Sequence, residues 1–156
     1  MTAWTGYATS TEYDNAYCLK TDLEKRFGTT NIATWADLDN DSDSIKIAAR
    51  IEYALAETYN EINTRCKASV YAVPLVTATS TVPSFVRSLA TDMSGLWLWT
   101  NRGIEDSEID EASVYATIER KIQKRLGLLI KGSYYIDAVK ASTVAVSVSS
   151  PYVAED

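Results

Sequence analysis

The sequence predicts a mainly α protein: a bundle of about four helices with one long loop or short β-hairpin and extended N- and C-terminal arms. Three observations predict it. Ile51, Leu55, Tyr59 and Ile62 recur at spacings of three and four, as do Val114, Ile118, Ile122, Leu126 and Leu129, the period of a helix with one buried face. Between them, Ser84 to Thr100 carries Phe85, Leu89, Met93, Leu96, Trp97 and Trp99 and is apolar round much of its circumference, so it belongs at the centre or in an interface. A period of two occurs only near the end, where Val144, Val146 and Val148 alternate with Ala145, Ser147 and Ser149.

The elements follow in order. Residues 1–16, rich in Thr, Ser, Tyr and Gly, form an irregular arm. Thr21-Asp22-Leu23-Glu24 fits a capping box, in which Thr21 accepts from the N–H of residue 24 and Glu24 reaches back to residue 21. Leu23 and Phe27 share a face, and Gly28 supplies the left-handed residue that ends this short helix. Asn31 is placed to cap a second turn through Trp35 or Leu38. An aspartate-rich loop, residues 37–43, then precedes the clearest helix, from Asp43 to about Ala68, with Arg50, Glu57 and Glu61 on its wet side.

Val70 to Val82 breaks the helical period with Pro74 and a run of β-branched residues. It is a loop in which residues 70–73 and 75–77 could be the arms of a hairpin. Ser84 is placed to cap the apolar helix, which Arg102-Gly103 ends. Residues 105–111 are an acidic connector. The last helix runs from about Asp110 to Ile130, acidic at its start and basic at its end as the helix dipole favours, and Lys131-Gly132 closes it. The organisation is an arm (1–16), a helical domain (17–132) and an extended tail (133–156), with the final residues, 153–156, loose.

Chain length and charge set limits on function. One domain of 156 residues can bury a core without staples. A net charge of −6 disfavours phosphate backbones, whose affinity comes from cationic neutralisation. No stretch is long and apolar enough to span a bilayer; Leu126 to Ile130 is the best and is far too short. The first eleven residues have neither the basic patch nor the apolar run of a signal peptide. Cys18 and Cys66 form no CxxC pair, which fits a reducing compartment and buried thiols rather than a disulfide framework.

Histidine is absent, which removes the commonest general base and the commonest metal ligand. No P-loop, GxSxG or glycine-rich phosphate turn is present, and no carboxylate pair stands out, so no enzyme activity and no cofactor are expected. Asp37, Asp39 and Asp41 match the first ligand positions of a calcium loop, but Ser42 stands where the turn glycine belongs and Ala48 where the closing glutamate belongs. The loop is therefore expected to be solvated and capping, with no metal. Arg120, Lys121, Lys124, Arg125 and Lys131 form a basic face that could touch nucleic acid but equally could pair with acidic neighbours.

The order of motifs carries a resemblance. Tyr17-Cys18-Leu19-Lys20-Thr21-Asp22-Leu23-Glu24-Lys25-Arg26-Phe27-Gly28 resembles the opening of a family of Mu-like phage and prophage proteins, in which a tyrosine precedes a capped helix of the form D-L-x-x-R-F-G. The likeness continues in order through the aspartate-rich loop, a long helix ending near Glu61-Ile62-Asn63, Tyr71-Ala72-Val73-Pro74-Leu75, Val82-Pro83 opening a helix, and a last helix ending in glycine. It spans roughly Tyr17 to Ile136 and leaves the two terminal segments unsupported. Proteins of this kind are similar to the head–tail connector, or adaptor, proteins of tailed phages, small helical bundles that assemble, usually as dodecamers, under the portal.

The resemblance implies a structural subunit of the virion neck, made in the host cytoplasm. It would form a homo-oligomeric ring that joins the portal to the tail, stopper or terminator protein and lets DNA pass without specific binding. No membrane partner is implied. The alternative is another virion protein, such as a tail terminator or head-decoration subunit. Within this reading the apolar surplus of the helix from Ser84 makes Trp97, Trp99 and Phe85 the expected subunit interface. Glu105, Asp106 and Glu108 are the expected channel or rim residues. Val144, Val146, Val148 and Tyr152 are the expected portal-binding tail, because a strand without a partner in its own chain completes its hydrogen bonds on a neighbour's sheet edge.

Overall fold

A computed structural model describes residues 16–102, 109–133 and 136–141. Among these residues the chain forms five α-helices: α1 (Lys20–Phe27), α2 (Thr29–Ala36), α3 (Ser44–Cys66), α4 (Ser84–Thr100) and α5 (Ile109–Lys131). The fold is mainly helical, as the periodicity predicts, and none of the described residues forms more than an isolated β-bridge. None of these helices is long and apolar enough to cross a membrane.

α4 is the hub. It packs against α1, α2, α3 and α5, which is how a helix apolar on most sides is accommodated in a small bundle. Val86, Leu89, Ala90, Ser94, Gly95 and Leu98 are buried along it. Leu23, Ile32, Ile51, Ile62, Leu126 and Leu129 close round it from the other four helices, each fully buried. Each such aliphatic side chain contributes about 2 kcal/mol relative to exposure. Phe27 reaches α4 at Gly95, where a Cβ would stand 2.0 Å from its ring. Phe27 in turn meets Trp35 edge-on at 5.7 Å, so α1, α2 and α4 share one aromatic joint.

The helix ends correct several expectations. The box at α1 lies two residues earlier: α1 begins at Lys20, and Asp22, not Glu24, reaches back, accepting from the Leu19 N–H at 2.9 Å. Glu24 instead accepts from the Thr29 hydroxyl at 3.1 Å. Gly28, at φ 97°, does end α1, and α2 follows without a break. Asp43 caps α3, accepting from the Ile45 N–H at 2.9 Å. Ser84 makes no cap; Pro83 holds that position, with no side-chain cap bond. Val114, placed in the inner stripe of α5 by its spacing, is 56% exposed. Gly132, at φ 65°, terminates α5.

The loop between α3 and α4 closes a turn of its own at one point, where the Thr77 N–H donates to Thr81 O at 2.8 Å, but residues 70–76 pair elsewhere. Their partner is the segment after α5. The Ala72 N–H donates to Val139 O at 2.9 Å, the Val139 N–H to Val76 O at 2.8 Å, and the Ala141 N–H to Val70 O at 2.9 Å. Tyr71 and Lys140 form an antiparallel bridge, and Ile136 is buried. The hairpin within residues 70–77 is thus replaced by a long-range pairing, and the first part of the tail belongs to the folded body. The Val73–Pro74 peptide bond is cis.

Candidate functional site

Two surfaces of opposite charge stand out, and both are built around α4. The first is a groove between α1, α4 and α5. Its floor is an ionic network centred on Asp92, a residue only 6% exposed. Arg26 of α1 donates from Nε to Asp92 Oδ1 at 2.9 Å, and Arg125 of α5 donates to Asp92 Oδ2. A second pair lies alongside: Arg87 of α4 grips Asp22 of α1 with Nε to Oδ2 at 3.1 Å and Nη2 to Oδ1 at 2.6 Å. Such bidentate pairs fix orientation as well as charge. They clamp three helices at one place.

The walls of this groove are cationic. Lys25 lines one end and Lys121 and Lys124 the other, with Ser88 between. These three lysines form no ion pair with another described residue. The part bounded by α4 and α5 encloses about 500 Å³ and includes Leu128. Counting Arg26, Arg87 and Arg125, six cations face two carboxylates, on a chain whose net charge is −6.

The second surface is the outer side of α3 with the loop before it. Residues 37–66 hold seven carboxylates and three cations. In the loop, Lys46 bridges Asp39 at 2.9 Å and Asp41 at 2.6 Å. The Lys46 ammonium holds the Asp41 carboxyl below the usual carboxylate range, and the two carboxylates raise Lys46 in return. Asp37 accepts from the N–H groups of Asp41 and Ser42, and Asp43 caps α3. The carboxylates thus have partners within the loop itself. Among the described residues no group of three or more His, Cys, Asp or Glu is arranged to hold a metal ion.

Farther along this face, Glu57, Glu61, Met93 and Trp97 line a shallow cleft of about 260 Å³. Trp97 is half-buried; the Arg50 guanidinium lies 4.6 Å over its ring and Tyr53, itself 52% exposed, stands 5.4 Å away. Leu38 and Ile45 are also exposed on this side.

The residues expected in the interface separate. Trp99 is buried within its own chain, stacked on Tyr115 at 4.1 Å and with the Arg102 guanidinium 4.1 Å from its ring centre. The apolar surplus assigned to it is therefore absorbed by α5. Trp97 and Phe85 keep partial exposure. Glu105, Asp106 and Glu108, and likewise Val144, Val146, Val148 and Tyr152, lie outside the described residues.

Both cysteines are buried. Burial pushes Cys18 up to about 12 and Cys66 up to about 11, so both are thiols at neutral pH. Sequence reasoning missed Asp92 and gave Tyr17 no role beyond opening the family motif. Asp92 was detectable as a lone acid in an apolar helix, which a buried partner must explain. Tyr17 is buried; its hydroxyl donates to Asn63 and accepts from the Leu75 N–H at 2.8 Å.

This arrangement suits binding: paired charges on the groove floor, free lysines on its walls, and an aromatic cleft on the far side. No curated protein and no solved structure matches the chain. A family model described as Bacteriophage Mu, Gp36, matches residues 17–140. That span opens on the buried Tyr17 and closes on Lys140, the residue bridged to Tyr71, so it coincides with the folded body. The chain therefore belongs to the Bacteriophage Mu Gp36 family of phage proteins.

Proposed function

We propose that this protein is a structural subunit of the phage neck, one of a ring of identical copies, a dodecamer in the simplest case, that joins the portal to the tail or stopper protein. The observation that carries the reading is the match of the whole folded body, residues 17–140, to a Mu phage family. Two further features support it. The free cations and the exposed aromatic residues lie on different flanks, as ring contacts require. The net charge of −6 suits a channel that lets DNA slide. The role is architectural and not catalytic. Glu105, Asp106 and Glu108 line the rim or lumen, and the valines at 144, 146 and 148, with Tyr152, dock on the portal by strand addition.

A cryo-electron microscopy map of the virion tests this. The expected result is density for this fold as a closed ring between portal and tail. Density at the tail tip, on the head surface as a decoration, or at the distal side of the neck as a terminator would overturn the assignment. So would a virion without the protein.

A further inference from the structure

The two charged surfaces lie on opposite sides of the same helix. Ser88 lines the basic groove and Trp97 lines the aromatic cleft. Nine positions at 3.6 residues per turn place them about 180° apart round α4. The groove exposes cations in excess, and the α3 face exposes carboxylates in excess together with Tyr53 and the half-buried Trp97. A closed ring needs two different, mutually complementary patches on opposite flanks of one subunit, because its contacts are head-to-tail rather than self-complementary.

We propose that the basic groove between α1, α4 and α5 of one copy receives the acidic, aromatic α3 face of the next copy. This rests on the ring reading above and names the surfaces that build the ring. Lys121 and Lys124 meet carboxylates of the neighbour, with Glu57 and Glu61 as the nearest to its cleft. Tyr53 and Trp97 supply the apolar anchor, against Leu128 in the groove. Rim charges of this kind steer encounter and fix register, while a desolvated aromatic anchor supplies affinity.

Nucleic acid is a poorer occupant of the same groove. Asp22 and Asp92 already engage Arg87, Arg26 and Arg125 and offset two of their three charges, and their carboxylates would repel phosphate. Three free lysines remain, too few to hold a duplex at ordinary salt on a chain of this net charge.

The test uses the full chain in two isotopic forms, mixed and treated with a zero-length carboxylate–amine crosslinker. Links between copies are then the ones of mixed isotope. The expected products join Lys121 or Lys124 to Glu57, Glu61 or the 37–43 loop. Two exposed charge-reversal variants, K121E/K124E and E57K/E61K, should each weaken self-association by at least about tenfold in sedimentation, and mixing them should restore it, since the reversed groove then faces the reversed cleft. Circular dichroism confirms that both remain folded.

Three results overturn the proposal: mixed-isotope links that join groove to groove, self-association unchanged in both variants, or a chain that stays monomeric at every accessible concentration. Duplex DNA bound by the wild type at physiological salt and lost in K121E/K124E would assign the groove to nucleic acid instead. A virion neck ring built on other contacts sinks this inference alone. A virion lacking the protein sinks the neck reading, whatever the crosslinks show.

Discussion

Tyr17 and Cys18 show what single side chains contribute at the start of the folded body. Tyr17 sits between α3 and the α3–α4 loop: its ring lies 4.9 Å from Tyr59, and its hydroxyl satisfies the Leu75 N–H, a buried donor that would otherwise cost free energy. Cys18 packs beside Ser94 of α4, sulfur to oxygen 3.9 Å. Burial raises the pKa of Tyr17, of Cys18 and of Cys66, because each anion would be stranded away from water. The sign of the linkage follows. Well below pH 9 all three are protonated in both states and their contribution is intact. Above it the unfolded chain ionises its thiols, near 9.0, while the folded chain holds Cys66 and Cys18 protonated up to about 11 and 12. Stability therefore falls across that window. Moving from about pH 8 to about pH 10.5 should lower the unfolding free energy by about 2–4 kcal/mol in urea titrations. Both thiols should also stay silent to a disulfide reagent at neutral pH until the chain unfolds. A urea midpoint that does not move over that range, or a fast-reacting thiol in the native protein, would refute the burial argument.

At the scale of elements, the helices were legible and the bonding at their ends was not. The spacing of Ile51, Leu55 and Ile62 predicts Asp43 to Ala68, and α3 spans Ser44–Cys66, because one apolar stripe over six turns leaves little choice. The α1 cap was misplaced because Asp22 and Glu24 are both acids within reach of a helix start. Which one bonds depends on where the chain enters, and burial of Ala16, Tyr17 and Cys18 decides that. In the candidate site, Lys121, Lys124 and Arg125 could be read as one helix face, whereas Arg26 and Arg87 join them only through tertiary contact. The closest such contact gives a prediction. Gly95 sits against the Phe27 ring, so Gly95→Ala forces ring or helix to shift and should cost about 1–3 kcal/mol. In a Phe27→Ala background the obstacle is gone, and alanine's better helix propensity should make the same change neutral or stabilising, by up to about 1 kcal/mol. Denaturant titrations of the four proteins give the coupling. Equal costs in both backgrounds would mean that the ring is not what excludes a side chain at 95.

For the whole molecule, the decisive long-range feature is the return of the chain after α5. No local pattern announces it. Residues 70–76 carry a strand-like composition, but their partners lie 63 to 71 positions away, and only the packing of α5 on α4 brings them there. The alternating valines beyond 142 drew attention to the end of the tail, while the residues that close the domain are 136–141. Truncation separates the two. Removing residues 142–156 keeps Ile136 buried and keeps the bonds of Val139 and Ala141, so the thermal midpoint should stay within about 2 °C of the intact protein. Removing residues 134–156 exposes the site of Ile136, worth about 2 kcal/mol, and strips three backbone hydrogen bonds worth about 1 kcal/mol each from the 70–76 loop. That chain should melt well below the intact one, and a protease should cut it within the α3–α4 loop first. The shorter truncation is also the variant that tests portal docking without a folding defect: it should assemble rings yet fail to join heads. If both truncations melt alike, the return segment does not close the fold, and the pairing of residues 70–76 with 139–141 is too weak to matter.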